Sequence, residues 1–338
     1  MRSTLSKLAP LFLILVLVTG LLTACTDSTE PEATKTQETT LPATTEPATT
    51  TEPEPQLPMT ITDQLGRTVV IEAEPQRIIS LAPSNTEIIY AFGLEDRLVG
   101  VTDYCNYPPE AAEKPSVGGF STTNIEEVVA LAPDLILATS IHESEIIPEL
   151  ENKGLTVVAL APKTFDEVLD AIELAGRATG QIEKASEILN EMQDRINAVT
   201  DKLKDLKDDE RLRVFYLTWH DPLMTSGGDT LINEFIELAG GTNMFSEISG
   251  AEAVDLEVLV AREPQVLIAG IGMGSGEEEG LKFFETETRL ADTEAVKNGR
   301  IYGIHMDLTG RAGPRIVDGL ELFAKCIHPE IFGEPNGS

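Results

Sequence analysis

The chain has 338 residues, of which 25 are Lys or Arg and 57 are Asp or Glu, giving a formal charge of −32. Such an acidic excess argues against a nucleic-acid partner, because phosphate neutralisation needs basic side chains, and against adhesion to anionic lipid by a basic face. The length suggests about two domains, 41% hydrophobic residues are enough for sizeable cores, and three Cys and four His rule out a disulfide scaffold and a His-rich metal protein.

At the start of the chain, Arg2 and Lys7 precede an apolar run from Leu8 to Leu22, of signal length and too short for a typical membrane span. The run ends in Leu22-Thr23-Ala24-Cys25, which resembles a bacterial lipobox, where the Cys is lipidated and becomes the new N-terminus. Residues 1–24 are therefore expected to be a lipoprotein signal peptide and Cys25 the lipidation site; an ordinary signal peptide with a chance Cys is the plainer alternative. Thr26 to Pro58 holds 11 Thr, 6 Pro and 6 Glu among 33 residues. It cannot bury enough apolar surface to offset its ordering entropy, so residues 25–58 read as a lipidated, disordered tether. No later segment has the roughly 18 continuous apolar residues of a span, which predicts a chain anchored to a membrane rather than embedded in it.

From Met59 onward short apolar runs alternate with helical patterns. Thr60–Glu72 carries a Gly turn and predicts a leading hairpin. Strands are predicted at Arg77–Ala82, Leu98–Val101, Leu135–Ala138 and Leu155–Ala159, then at Arg213–Thr218, Val266–Ala269 and Arg300–Ile304. Strand–helix alternation implies parallel sheets covered by helices. Between the two groups, Thr164 and Glu167 form a capping box for a first helix. A stripe from Ala185 through Met192, Ile196, Val199 and Leu203 to Leu206 then marks a helix of about 25 residues, close to 37 Å long. Residues 124–138 align without gaps on residues 255–269: an N-cap, a short helix, a Pro at the break and a buried strand in each. Either two similar α/β lobes flank the long helix as a strut, or two βα units are alike by chance. The first reading divides the folded part into 59–163, 164–208 and 209–333.

Catalytic signatures are missing from the sequence. The run Gly270-Ile-Gly-Met-Gly-Ser-Gly276 has the wrong spacing for a dinucleotide loop, and Glu277–Glu279 would repel a pyrophosphate; a flexible loop is the better account. His142-Glu143 lacks the second His of a zincin helix. Cys105 and Cys326 could form a disulfide, but they fall in different lobes and are expected to be unpaired thiols.

Several stretches point together: Arg77-Ile-Ile-Ser-Leu-Ala-Pro-Ser-Asn-Thr-Glu87, Asp103-Tyr-Cys-Asn-Tyr-Pro-Pro109, Val117-Gly-Gly-Phe120, Thr225-Ser-Gly227 through Asn243, and Asp307-Leu-Thr-Gly-Arg311-Ala-Gly-Pro-Arg315. With the repeat and the long helix, they resemble the helical-backbone substrate-binding proteins of ABC importers for vitamin B12, ferric siderophores and haem, over about Pro75 to Phe332. The Asp103–Pro109 and Asp307–Arg315 stretches look most like the vitamin B12 branch. The resemblance implies an α/β fold of two similar Rossmann-like lobes joined by one long rigid helix, a ligand cleft between them, and no catalysis. It implies a monomer that hands a cobalt corrinoid to a permease dimer with its ATPase, outside the cytoplasmic membrane, and that needs no cofactor of its own.

The resemblance assigns Tyr104 and Phe120 to an aromatic cleft wall, Trp219 to a further aromatic position, and Asp307 and Arg311 to a polar wall. Two other aromatic positions of the family fall near Thr139 and Ala251, so this cleft is less aromatic. Glu126 and Glu257, matched in the repeat, correspond to the glutamates that dock each lobe on permease arginines. Blander readings stand beside these: core aromatics for Tyr104 and Phe120, a core cap for Trp219, pairing with surface carboxylates for Arg311 and Arg315 (Arg315 the more structural of the two), and helix-dipole complementation for the two glutamates. Glu87, three residues after Ser84, reads as a capping-box residue. A ferric siderophore or haem is the alternative ligand, with Tyr104 and His220 as possible axial groups. A nucleotide-using α/β enzyme is the alternative from another class.

Overall fold

The computed structural model describes residues 57–272 and 278–335. Cys25, the expected signal peptide, the tether up to residue 56 and residues 273–276 of the glycine run lie outside them. The leading hairpin pairs β1 (Met59–Thr62) with β2 (Thr68–Ile71). Asp63 fixes its turn: Oδ1 accepts from the Leu65 and Arg67 amides at 3.1 and 3.0 Å, and Oδ2 accepts from the Ala159 amide at 3.0 Å. Then come β3 (Ile78–Ser80), α1 (Pro83–Ala91), β4 (Leu98–Val101), α2 (Ile125–Ala130), β5 (Leu135–Ala138), α3 (Ile146–Asn152) and β6 (Val157–Ala159). The four strands after the hairpin form a parallel sheet in the order β4-β3-β5-β6.

Two helices follow, α4 (Phe165–Thr179) and α5 (Ile182–Leu203). Thr164 caps α4 by accepting from the Glu167 amide at 3.1 Å. The Glu167 carboxylate reaches one residue further than a capping box requires, to the Lys163 amide at 2.6 Å. Gly180, at φ 75°, turns the chain back. Gly176 lets the two helices touch, since a Cβ there would lie 2.5 Å from the Ala185 Cβ. The long helix thus begins three residues earlier than its apolar stripe and ends at Leu203. Leu206 still packs against the core, from beyond the helix end.

The second half contains β7 (Leu212–Leu217), β8 (Trp219–His220), β9 (Leu223–Ser226), α6 (Leu231–Leu238), β10 (Gly241–Asn243), β11 (Ala251–Ala253), α7 (Leu256–Ala261), β12 (Val266–Ile271), α8 (Glu279–Thr286), α9 (Glu294–Lys297), β13 (Ile301–His305), α10 (Met306–Gly310), α11 (Ile316–Ile327) and α12 (Pro329–Phe332). Its parallel sheet runs β10-β7-β12-β13, and β11-β9-β8 form a small antiparallel sheet. β12 extends two residues past Ala269 because Gly270 and Ile271 still pair with Ile304 and His305.

Period-two alternation divides each parallel sheet between two cores. In the first lobe Ile79, Ile136, Ala138, Val157 and Ala159 face a core of that lobe alone. In the second, Phe215, Leu217, Leu267 and Ala269 do the same. The opposite faces, including Ile78, Leu135, Leu137 and Val158 in one lobe and Val214, Tyr216, Val266 and Ile268 in the other, belong to one continuous core with α4, α5 and α11. α4 touches both halves: Gln64 Nε2 donates to the Glu167 carbonyl at 2.7 Å, and the Phe165 ring stands edge-on to Phe235 at 4.9 Å. α5 is tied to α11 by Arg195, which donates to Glu321 and Asp318 at 2.8 and 2.6 Å.

The repeat extends beyond its aligned residues. Ala132 and Glu263, at matching positions before the two Pro residues, both have positive φ, 45° and 54°. Arg77 Nε donates to the Leu131 and Ala132 carbonyls at the end of α2, and Arg213 Nε to the Arg262 and Glu263 carbonyls at the end of α7. Each lobe thus ties the start of its first parallel strand to the last carbonyls of the repeated helix, which helix ends leave without intrahelical partners.

Candidate functional site

In open parallel sheets, ligands bind beyond the carboxyl ends of the strands, where the strand order reverses. The first lobe reverses between β3 and β5, and the second between β7 and β12. Most of the residues singled out in the sequence stand at or near these ends: Tyr104 after β4, Phe120 in the loop that follows, Trp219 after β7, and Asp307 and Arg311 after β13.

Tyr104 is 59% exposed, so it is not a core aromatic. Its loop is held to the Phe120 loop: the Asp103 amide donates to the Gly118 carbonyl at 2.9 Å, and the Ser116 hydroxyl donates to the Asp103 carboxylate. Gly118 has φ 95°, and a Cβ there would meet the Thr122 carbonyl oxygen at 2.8 Å, which explains the first glycine of the Val117–Phe120 stretch. Phe120 is half-buried and edge-on to His142, with ring centroids 5.7 Å apart. His142 is fully buried. Its Nε2 donates to the Phe120 carbonyl at 2.7 Å and its Nδ1 accepts from the Thr139 amide at 3.1 Å. That arrangement requires the neutral imidazole, and burial pushes its pKa below the ordinary value.

On the second lobe Trp219 is 39% exposed and donates from Nε1 to the Asp221 carbonyl at 2.7 Å, within its own hairpin. Of the residues near the other family aromatic positions, Thr139 directly follows β5 and Ala251 is an exposed residue of β11. His220 lies 3.9 Å from Glu279. His305 caps α10, its Nδ1 accepting from the Asp307 amide at 3.2 Å.

The two lobes meet through a charged quartet. Arg311 is 7% exposed and lies 2.9 Å from Asp307 Oδ1, and it donates to Glu87 Oε1 at 3.3 Å. Its Nη2 is also 3.5 Å from the Tyr104 carbonyl, 207 positions away in the chain. Arg315 donates to both oxygens of Glu87, at 2.9 and 2.6 Å, and its guanidinium lies 3.5 Å from the centre of the Tyr107 ring. Arg311 Nε is buried without a hydrogen-bond partner. Glu87 is therefore not a capping residue: α1 has its N-cap at Ala82, with no side-chain cap, and the Glu87 carboxylate joins the lobes. Sequence reasoning missed this role, and missed Tyr107, because the partners are more than 200 positions apart and no local pattern marks them.

Glu126 and Glu257 stand exposed in the first turns of α2 and α7. Asn124 caps α2 by accepting from the Glu126 and Glu127 amides, whereas Asp255 makes no side-chain cap on α7. Cys105 and Cys326 are free and buried, and burial pushes the Cys326 thiol up to about 12. Among the described residues no helix is long and apolar enough to cross a membrane, and no group of three or more His, Cys, Asp or Glu is placed to hold a metal ion.

The profile of a family described as periplasmic binding protein matches residues 78–308. An uncharacterized ABC transporter substrate-binding lipoprotein of Bacillus subtilis is 35% identical over 82% of the chain and 88% of its own length. A vitamin B12-binding protein of Vibrio cholerae is 31% identical over 73% of the chain and 87% of its own length. The crystal structure of the Vibrio cholerae periplasmic vitamin B12 binding protein superposes with a TM-score of 0.64 at 28% identity, covering 75% of the chain and 97% of that structure. A possible iron-binding periplasmic solute-binding protein from Staphylococcus epidermidis gives 0.67 at 29% identity, covering 76% and 100%.

Proposed function

The chain belongs to the periplasmic binding protein family, as a substrate-binding protein of an ABC importer and not an enzyme, and from that premise we propose that it captures a corrinoid between its lobes. The observation that carries this reading is the meeting of Tyr104, Asp307 and Arg311, from opposite lobes, at the carboxyl ends of the strands. A corrinoid is large and flat-sided, with amides around its rim. The exposed faces of Tyr104 and Trp219 and the half-buried Phe120 suit its ring, and a few fixed polar groups suit its amides. Asp307 offers an acceptor for those amides. The similarity to the Vibrio cholerae vitamin B12-binding protein supports the same choice of ligand.

The lipobox-like Leu22–Cys25 segment and the description of the Bacillus subtilis relative as a lipoprotein support lipidation at Cys25 and a place on the outer side of the cytoplasmic membrane. Glu126 and Glu257, exposed at matching positions of the two lobes, are the proposed contacts to a permease dimer.

The test is titration of the purified protein with cyanocobalamin, followed by calorimetry and by the visible spectrum of the ligand. One-to-one binding is expected, weakened about tenfold or more by Asp307→Ala, since losing a buried polar contact to a ligand amide is worth about 1–3 kcal/mol. No heat with cyanocobalamin, alongside tight binding of haem or a ferric siderophore, overturns the corrinoid reading.

A further inference from the structure

Glu87 and Asp307 carry two negative charges, and Arg311 and Arg315 carry two positive charges, so the quartet is balanced. Both guanidiniums are already committed to carboxylates of the protein. Glu87 is the central member: its side chain is 2% exposed and contacts both arginines. The quartet lies among the groups of the proposed cleft, with the Tyr104 backbone carbonyl 3.5 Å from Arg311 and Tyr107, 43% exposed, under Arg315. Gly313, between the two arginines, sits against α1, where a Cβ would approach the Ser84 carbonyl oxygen to 3.2 Å. Little room is left there for rearrangement.

We propose that Glu87 sets the charge class of the ligand: by neutralising Arg311 and Arg315 from behind, it leaves a cleft that accepts neutral, amide-rimmed molecules and rejects anionic ones. This rests on the reading of the cleft between Tyr104 and Asp307 as the ligand site. The physical basis is discrimination by an uncompensated charge. A ligand carboxylate entering beside the quartet meets Asp307 with no free cation to receive it, in a partly buried setting where charges are weakly screened. A neutral amide meets no such barrier, because it can accept from one partner and donate to another.

The experiment compares cyanocobalamin, its monocarboxylic acid (one rim amide hydrolysed) and haem, whose propionates are anionic. Each is titrated into the wild-type protein, into Glu87→Gln and into the double variant Glu87→Gln with Arg315→Gln. Gln keeps the size and one acceptor of Glu but removes the charge, so the single variant gives the quartet one net positive charge and the double variant restores the balance. The wild type is expected to bind the monocarboxylic acid about tenfold more weakly than cyanocobalamin. That preference disappears in the single variant, which also gains affinity for haem, and it returns in the double variant. Loss of the preference in both variants assigns it to local structure instead of charge and overturns the proposal, as does a single variant that still discriminates like the wild type. Should the wild type bind no corrinoid, the ligand reading fails. The charge filter is then read from haem alone, where a gain confined to the single variant supports it and unchanged haem binding overturns it.

Discussion

His142 shows how a buried titratable side chain holds the loop that carries Phe120. It has no exposure, yet its two ring nitrogens hold the Phe120 carbonyl and the Thr139 amide. The unfolded histidine takes up a proton near pH 6.5, whereas burial lowers the folded value. Below about pH 6.5 the unfolded chain therefore binds more protons than the native one, and the stability conferred by the neutral ring is lost as pH falls, by at most about 1.4 kcal/mol per pH unit. Thermal unfolding of the wild type and of His142→Gln at pH 7 and pH 5 checks this: acidification is expected to lower the wild-type midpoint more than that of the variant. Equal losses contradict it. At the residue scale the sequence was only partly legible. The stretches marked Tyr104, Phe120, Asp307 and Arg311, the proposed cleft residues. The contacts of Glu87 and His142 were hidden, because each depends on partners supplied by other loops: Arg311 and Arg315 for one, the Phe120 carbonyl for the other.

Among the elements, α2 and α7 are the repeated pair. Both are six residues long, both end against an arginine at the start of the first parallel strand of their own lobe, and each shows a glutamate in its first turn. A first-turn glutamate favours its helix by only about 0.3–1 kcal/mol. If that were its whole role, removing both would leave uptake untouched. The double variant Glu126→Ala with Glu257→Ala is expected to abolish importer-dependent uptake in cells while ligand affinity in solution changes less than about twofold; unchanged uptake returns both residues to the dipole role. The elements most readable from sequence were the buried parallel strands, such as Leu135–Ala138, because a strand covered on both faces is a continuous apolar run. The small β8–β9–β11 sheet escaped notice because its strands are short and β11 is exposed throughout. α11 escaped although Ile316, Leu320, Phe323 and Ile327 carry a regular helical spacing.

For the molecule as a whole, the decisive feature is the continuous core that runs from the inner face of one sheet through α4 and α5 to the inner face of the other. Separating the lobes would expose Leu135, Leu137 and Val158 on one side and Val214, Val266 and Ile268 on the other, each worth about 1.5–3 kcal/mol when buried. Unfolding is therefore expected to be a single event. Trp219, the only tryptophan, reports on the second lobe by fluorescence, and far-ultraviolet circular dichroism reports on the whole. The two midpoints should coincide in a denaturant titration; a separate earlier transition in either signal shows lobes that melt independently. The sequence suggested two similar halves and a helix between them, but not that the halves share an interior, since apolar periodicity tells which side of a strand is dry and not whose side chains lie across from it. That shared interior also bears on exchange between relatives. Front and back halves cannot be swapped as self-sufficient cartridges. A chimera has to import the intervening α4–α5 hairpin and the matching flank of its new neighbour, or the seam between donors will be left open to water.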